Sequence, residues 1–323
     1  MSPNLKAEHG KNSLELSRQN EHKVLIQLER FGWLPMSQIH AYCWPSNSTP
    51  RSAQRTLANL LAQNQVTFRT RAKSREKVYA LTGPGAARLN LELGIDALVL
   101  NDLQKSVDSS AFAHRCLAND IAVWWYWAQE QNGGAFFTEH EVITGRAPFR
   151  SAPLTMTHAK GKIPDGVLSM PSRDPESPYT KWYGWVEVER GWKNKADQAS
   201  MVAHLCDILA LHQTRWEIGT KAILKFAMVA CPLPAHETRL TSELRAFLDK
   251  HGHDYDVAYI RKFLYVWRPD GTAHPVGELM AEGDARLAAD AASKQDEAAQ
   301  RALAEVRAVA EMHARLREEN GVA

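Results

Sequence analysis

The sequence predicts an α/β protein in three parts: a small helical unit closed by a basic β-hairpin, a mixed-sheet domain, and a long C-terminal helix. Three observations carry this reading. Apolar residues recur at helical spacing through residues 21–63 and then give way to two short β-like runs around a basic turn. After a long helix from about Ser110, the pattern runs through three strands, a helix, a strand, a helix and a further strand. From about Glu282 the chain is rich in Ala, Glu and Arg and carries few large apolar residues.

Composition sets the outer bounds. A length of 323 residues suits two or three domains of ordinary size. With 44% hydrophobic and 24% charged residues, disorder as the dominant state is excluded. Uncharged stretches are too short or too polar to span a bilayer, and Met1–Ser13 lacks the apolar core of a secretory signal. Four cysteines (Cys43, Cys116, Cys206, Cys231) include no CxxC pair. That argues against a disulfide scaffold or structural zinc and for a reducing cytoplasm. The net charge of +2 conceals its distribution. Residues 1–92 hold 13 Lys+Arg against 6 Asp+Glu, whereas residues 281–323 hold 6 against 9. A basic first third marks the end that meets a polyanion.

Taken in order, residues 1–20 are polar and expected to be disordered. Val24, Leu25, Leu28 and Phe31 share one helical face, and Gly32 ends that helix. A second helix covers roughly Met36–Cys43, followed by a turn at Trp44–Ser48. Thr49 and Pro50 read as N-cap and first position of a third helix that runs to Gln63. Its apolar side is Ala53, Leu57, Leu60 and Leu61; its polar side offers Arg51, Gln54, Arg55 and Asn59. Strands over Gln65–Arg71 and Lys77–Leu81 flank the basic turn Ala72–Glu76. Three helices followed by a basic hairpin make a winged helix-turn-helix, spanning residues 21–92.

In that arrangement the third helix enters the major groove of double-stranded DNA. Arg51, Gln54, Arg55 and Asn59 would then reach base edges or phosphates. Arg69, Arg71, Lys73, Arg75 and Lys77 would meet backbone phosphates and supply salt-dependent affinity. Residues 93–110 read as a linker, and the α/β domain occupies 111–275. In its first helix, Trp124, Trp125, Tyr126 and Trp127 are consecutive and cannot share one face. Some must pack on the sheet and others on another domain or subunit. Strands are expected at Ala135–Ile143, Ile163–Met170, Tyr183–Glu189, Lys225–Ala230 and Phe263–Trp267, and helices at Lys195–Leu211 and Glu237–Lys250. The tail, residues 281–320, reads as a long exposed helix that offers a means of forming a homodimer.

Carboxylates are the residues of chemical interest. Glu187 and Glu189 stand two apart on one strand and so point to one face, opposite Val186 and Val188. Glu139 and Glu141 are paired in the same way on the strand read at 135–143, and Asp165 opens another strand. Carboxylates meeting at a sheet edge suit a hard divalent cation such as Mg²⁺, which can activate water and neutralise charge on a scissile phosphate. Glycine-rich phosphate loops, the P-loop and GxSxG are all absent.

Ile163-Pro164-Asp165-Gly166, followed some twenty residues later by Val186-Glu187-Val188-Glu189-Arg190, resembles the PD-(D/E)xK nuclease core. Together with the winged helix and His114-Arg115-Cys116-Leu117-Ala118-Asn119-Asp120, the chain resembles the replication-relaxation family of bacterial plasmids and mobile elements. The resemblance implies a nuclease-like fold, with Asp165 and Glu187 as metal ligands and Glu141, then Glu139, as the upstream acid. It departs at the motif lysine, where Glu189 stands; Lys193 or Lys195 would have to supply the amine. Two functions remain open. One is a non-cleaving DNA-binding protein acting in replication control, mobilisation or transcription, with a relaxase or replication protein as partner. The other is a Mg²⁺-dependent DNA endonuclease or nickase.

Overall fold

The computed structural model describes residues 3–45, 49–72, 74–99, 103–109, 111–129, 132–147, 163–172, 175–189, 195–210 and 222–319. It divides into two units, Met1–Pro275 and Val276–Ala323. The first unit is mixed α/β and holds two sheets.

Its chain begins with helix α1 (Pro3–Phe31), strand β1 (Leu34–Pro35), α2 (Met36–Cys43), α3 (Arg51–Ala62), β2 (Val66–Thr70), β3 (Lys77–Leu81) and α4 (Gly83–Leu93). The strands form a three-stranded antiparallel sheet in the order β1-β3-β2, with Arg69 opposite Val78 and Thr70 opposite Lys77. Val24, Leu25, Leu28 and Phe31 are fully buried, as their spacing required, and Gly32 ends α1 at φ +73°. The helix begins at Pro3, however, so residues 3–20 are helical where composition suggested disorder. Leu, Glu, Lys and Gln in that stretch are good helix formers, and the packed half of α1 supplies the nucleus from which they extend. At α3 the cap is one residue later than expected: Pro50 is the N-cap and makes no side-chain cap bond. At α4 the Thr82 hydroxyl accepts the Gly85 N–H, a cap of the ordinary kind.

The stretch 93–110 is not an open linker. It contains α5 (Leu103–Asp108), whose Leu103 and Val107 are buried with Trp33, Val78 and Phe112. Helix α6 follows (Phe112–Gln129), then β4 (Ala135–Thr138), α7 (Glu139–Ile143), β5 (Gly166–Pro171), β6 (Lys181–Val188), α8 (Lys195–Ala210) and β7 (Ala222–Ala230). The unit closes with α9 (Pro234–His251), α10 (Val257–Phe263), β8 (Leu264–Trp267) and β9 (Ala273–Pro275). These strands form one six-stranded sheet in the order β4-β5-β6-β7-β8-β9. Pairs β6–β7 and β7–β8 are parallel and the rest antiparallel. The parallel pairs are those whose connections carry α8, or α9 and α10, as parallel crossovers require.

One core runs through the first unit. Val24, Leu25 and Leu28 of α1 belong to the same buried cluster as Ile121 of α6 and Val186, Phe226 and Trp267 of the large sheet. Aromatic residues join the two sheets as well. Trp33 stacks on Phe112 at 5.0 Å and 5°, Arg71 lies 4.4 Å over the other ring, and Arg115 lies 4.9 Å over Trp33. The four aromatics of α6 divide as their spacing demands. Trp125 donates to Ser169 O at 3.3 Å on the sheet side, while Trp127 donates to Ala41 O at 3.1 Å and Tyr126 meets Tyr42 on the α2 side.

In the second unit, helix α11 runs from Val276 to Glu319, a few residues longer at its start than the sequence suggested. Among the described residues no helix is long and apolar enough to cross a membrane.

Candidate functional site

Two groups of residues are candidates: the carboxylates around Asp165, and the polar edge of α3 with the β2–β3 hairpin. The structure brings some of the sequence-derived carboxylates together and separates others.

Asp165 sits at the entrance to β5, beside the C-terminal end of β6. Its own N–H donates to Val186 O at 3.0 Å, and Val188 N–H donates to its Oδ2 at 2.7 Å. Its Oδ1 lies 2.8 Å from His114 Nε2 on α6. Gly166 beside it serves a close approach and not a tight turn. A Cβ there would stand 2.2 Å from Phe136 Cζ of β4, so only glycine lets that ring lie across the strand start. The second Pro-Asp-Gly, at 269–271, is the plain turn expected: Gly271 has φ +82° and Arg268 N–H donates to Thr272 O.

Glu187 lies on β6 at 4% exposure and Glu189, just past the strand, at 5%. The alternation is as read, but the consequence differs. Val186 and Val188 are buried too, because β6 is central in the sheet and covered on both faces. Glu187 Oε1 accepts the Trp185 indole N–H at 2.6 Å, and Glu189 N–H donates to Ala230 O at 2.9 Å.

Glu139 and Glu141 require a correction. The strand read at 135–143 stops at Thr138, and both glutamates belong to the short helix α7. Thr138 and Glu141 form a capping box: Thr138 Oγ1 accepts the Glu141 N–H at 3.0 Å, and Glu141 Oε2 accepts the Thr138 N–H at 2.8 Å. The other oxygen of Glu141 pairs with Arg30 Nε at 3.0 Å. Glu141 is therefore engaged in capping α7 and in the ion pair with Arg30. Thr138 pairs with Gly166 across β4 and β5, which sets Glu139, not Glu141, near Asp165; burial pushes the Glu139 carboxyl up, Arg115 and His114 pull it down, and Asp165 raises it. The Thr-x-x-Glu signature at Thr138–Glu141 was legible in the sequence and would have shown the helix start.

His114 is the residue that sequence reading passed over as a contact. Its hydrogen bond to Asp165 raises its pKa, and the charges of Asp165, Glu187 and Glu139 raise it further, against the opposing effect of burial. A proton on His114 thus stands among three carboxylates. Lys193 lies outside the described residues, as does the side chain of Lys195. A Mg²⁺ ion at this place would share its carboxylates with hydrogen-bond donors already on them. Asp165 spends one oxygen on His114 and the other on a backbone N–H, and Glu187 spends one on an indole. Among the described residues no three carboxylates, histidines or cysteines are grouped as metal ligands. Burial pushes the thiols of Cys43, Cys116 and Cys206 up to about 12 and that of Cys231 further up, which disfavours their thiolate forms.

The rest of the segment 114–120 has a separate use. Gln38 Nε2 on α2 donates to Cys116 O and to Asp120 Oδ1, both at 2.7 Å, and Asn119 Nδ2 donates to Gln38 Oε1 at 3.1 Å. Arg115 Nη2 donates to Phe31 O at the end of α1. The segment is the surface on which the small sheet and its helices dock.

On the other candidate face, α3 buries Ala53, Thr56, Leu57 and Leu60 and exposes Arg51, Gln54, Arg55 and Asn59. Arg69, Arg75 and Lys77 of the hairpin are exposed, and Lys77 Nζ stands 4.8 Å over the Phe68 ring. Arg75 holds the hairpin turn at φ +55°. Arg71 is half-buried on Phe112. Lys73 lies outside the described residues. Gln54 and Leu57 of α3 border one hollow together with Arg75, Glu76, Lys77 and Tyr79 of the hairpin.

Compared with protein-family models, curated proteins and solved structures, the chain matches none.

Proposed function

We propose that the chain is a DNA-binding protein of a bacterial plasmid or mobile element, in which residues 21–92 act as a winged helix-turn-helix. The observation that carries this is the hollow shared by α3 and the hairpin. Gln54 and Ala58 on the exposed side of α3 and the hairpin cations Arg75 and Lys77 border one concavity, so a helix in the major groove and cations on the flanking phosphates would engage one duplex together. The α/β portion would be a nuclease-like platform of the PD-(D/E)xK kind, used without cleavage in replication control, mobilisation or transcription. Its support is the placement of Asp165 just before β5 and of Glu187 on the adjacent strand β6, combined with the engagement of both side chains by His114, Val188 and Trp185. The mobile-element setting and a relaxase or replication protein as partner rest on the sequence resemblance.

A gel with supercoiled plasmid, run with Mg²⁺, with Mn²⁺ and with EDTA beside a mobility-shift lane, tests this. Retarded but uncut DNA, unchanged by Asp165→Ala, is expected. Metal-dependent nicking lost in that variant would replace the proposal with an endonuclease.

A further inference from the structure

A hollow of about 270 Å³ opens on the large sheet, walled by Trp124 and Trp125 of α6, Trp182 of β6, Phe263 at the end of α10 and Tyr265 of β8, with Lys225 of β7 among them. Trp124, Trp182, Phe263 and Tyr265 are only partly buried, so their rings meet solvent inside a concavity. Leaving aromatic surface wetted forgoes the stabilisation that its burial would supply. Walls of this kind, with one polar group, are the ordinary make-up of a small-ligand site. The polar group here is a cation. Lys225 Nζ lies 4.5 Å from the Phe263 ring centroid, 5.3 Å from Tyr259 and 5.6 Å from Trp182. The rings favour a flat π-face laid against them, and the lysine favours a negative group at the edge and repels a cationic ligand.

We infer that this hollow binds a nucleotide, its base stacked on the tryptophan rings and its phosphate at Lys225. The choice of a nucleotide among aromatic anions rests on the DNA-binding reading above. The hollow is lined by none of the residues assigned there to duplex contact. Free mononucleotide and an unpaired nucleotide of single-stranded DNA share this chemistry.

The test titrates the tryptophan fluorescence of the full chain with thymidine 5′-monophosphate, with short oligothymidylate, with thymidine and with inorganic phosphate, beside a duplex mobility shift. Saturable quenching by the monophosphate or the oligonucleotide is expected, with thymidine and phosphate each weaker by about tenfold or more. Quenching by the oligonucleotide alone identifies single-stranded DNA as the source; equal quenching by the monophosphate identifies free nucleotide. Trp182→Leu and Lys225→Gln should each weaken binding about tenfold, the loss of one stack or one charged contact, with duplex retardation unchanged. Circular dichroism reports whether either variant is misfolded, and the thymidine and phosphate arms need no variant. A duplex shift without saturable quenching overturns the inference and leaves the DNA-binding reading intact. Quenching by monophosphate without a duplex shift supports the hollow and removes that reading. Absence of both overturns both.

Discussion

Gln38 on α2 donates to Asp120 on α6 at 2.7 Å, and the same amide accepts from Asn119. Gln38 and Asn119 are both buried. The small sheet with its helices and the large sheet are therefore joined through a polar clasp set in a continuous apolar core, and a tether between independent domains is not what the chain builds.

The clasp predicts a stability cost. Gln38→Ala takes the Gln38 partner from the Asn119 amide and from Asp120 Oδ1, and a buried group so stranded costs about 1–3 kcal/mol. Denaturant unfolding should show that loss in one cooperative transition. Two resolved transitions in the wild-type chain, one for each sheet, would contradict the shared core.

His114 and Asp165 predict a pH dependence. The folded-state pKa of His114 is raised, so its contribution is fully present below the ordinary value of about 6.5 and is lost as pH rises through the raised value. Melting temperature should fall as pH rises above about 6.5 in the wild type and stay flatter in His114→Gln. The raised Glu139 carboxyl acts in the same direction, and the difference between wild type and His114→Gln isolates the histidine. An identical pH profile for wild type and His114→Gln would remove the ion pair from the account.

Arg55 and Arg71 predict opposite behaviour from the same type of side chain. Arg55 is exposed on α3, so Arg55→Ala should weaken duplex binding and shrink the slope of log affinity against log salt by about 0.9, leaving melting unchanged. Arg71 lies on the Phe112 ring at 4.4 Å, so Arg71→Ala should cost about 0.5–1 kcal/mol of stability as well. Salt-dependent binding measured beside thermal melting checks both. A destabilised Arg55→Ala with an unaltered salt slope would refute the assignment.

Gly166→Ala predicts damage to the edge of the large sheet. The added methyl would meet the Phe136 ring at 2.2 Å, and an overpacked core contact costs about 1–3 kcal/mol. Hydrogen exchange should show faster opening of β4 and β5 while β7 and β8 keep their protection. Protection of β4 equal to the wild type would mean that the ring has room to turn away.

Much of the fold was legible because its signals are local. The helical face of Val24, Leu25, Leu28 and Phe31, the hairpin around residues 72–76, and the period-2 run at Tyr183–Glu189 each announce themselves within a few residues. The misreadings also have local causes. Ala135–Ile143 alternates like a strand, yet the capping box at Thr138 and Glu141 turns its second half into a helix. The stretch 93–110 reads as polar linker, yet Leu103 and Val107 are enough to seat a helix turn against Trp33 and Phe112. Residues 252–275 gave up β8 but hid α10 and β9, whose few residues lie below the length at which periodicity can speak.

By itself the sequence determined which faces are apolar, where helices stop, and that Glu187 and Glu189 share a side of one strand. Alternation is set by the backbone and needs no partner. Only the tertiary structure decided that both sides of that strand are buried, because burial depends on what the rest of the chain lays over it. It alone separated Glu141 from Glu139, sending one to Arg30 and the other toward Asp165 and His114. His114 and Asp165 stand 51 residues apart in the chain, and only the packing of α6 against the sheet edge brings them within a hydrogen bond.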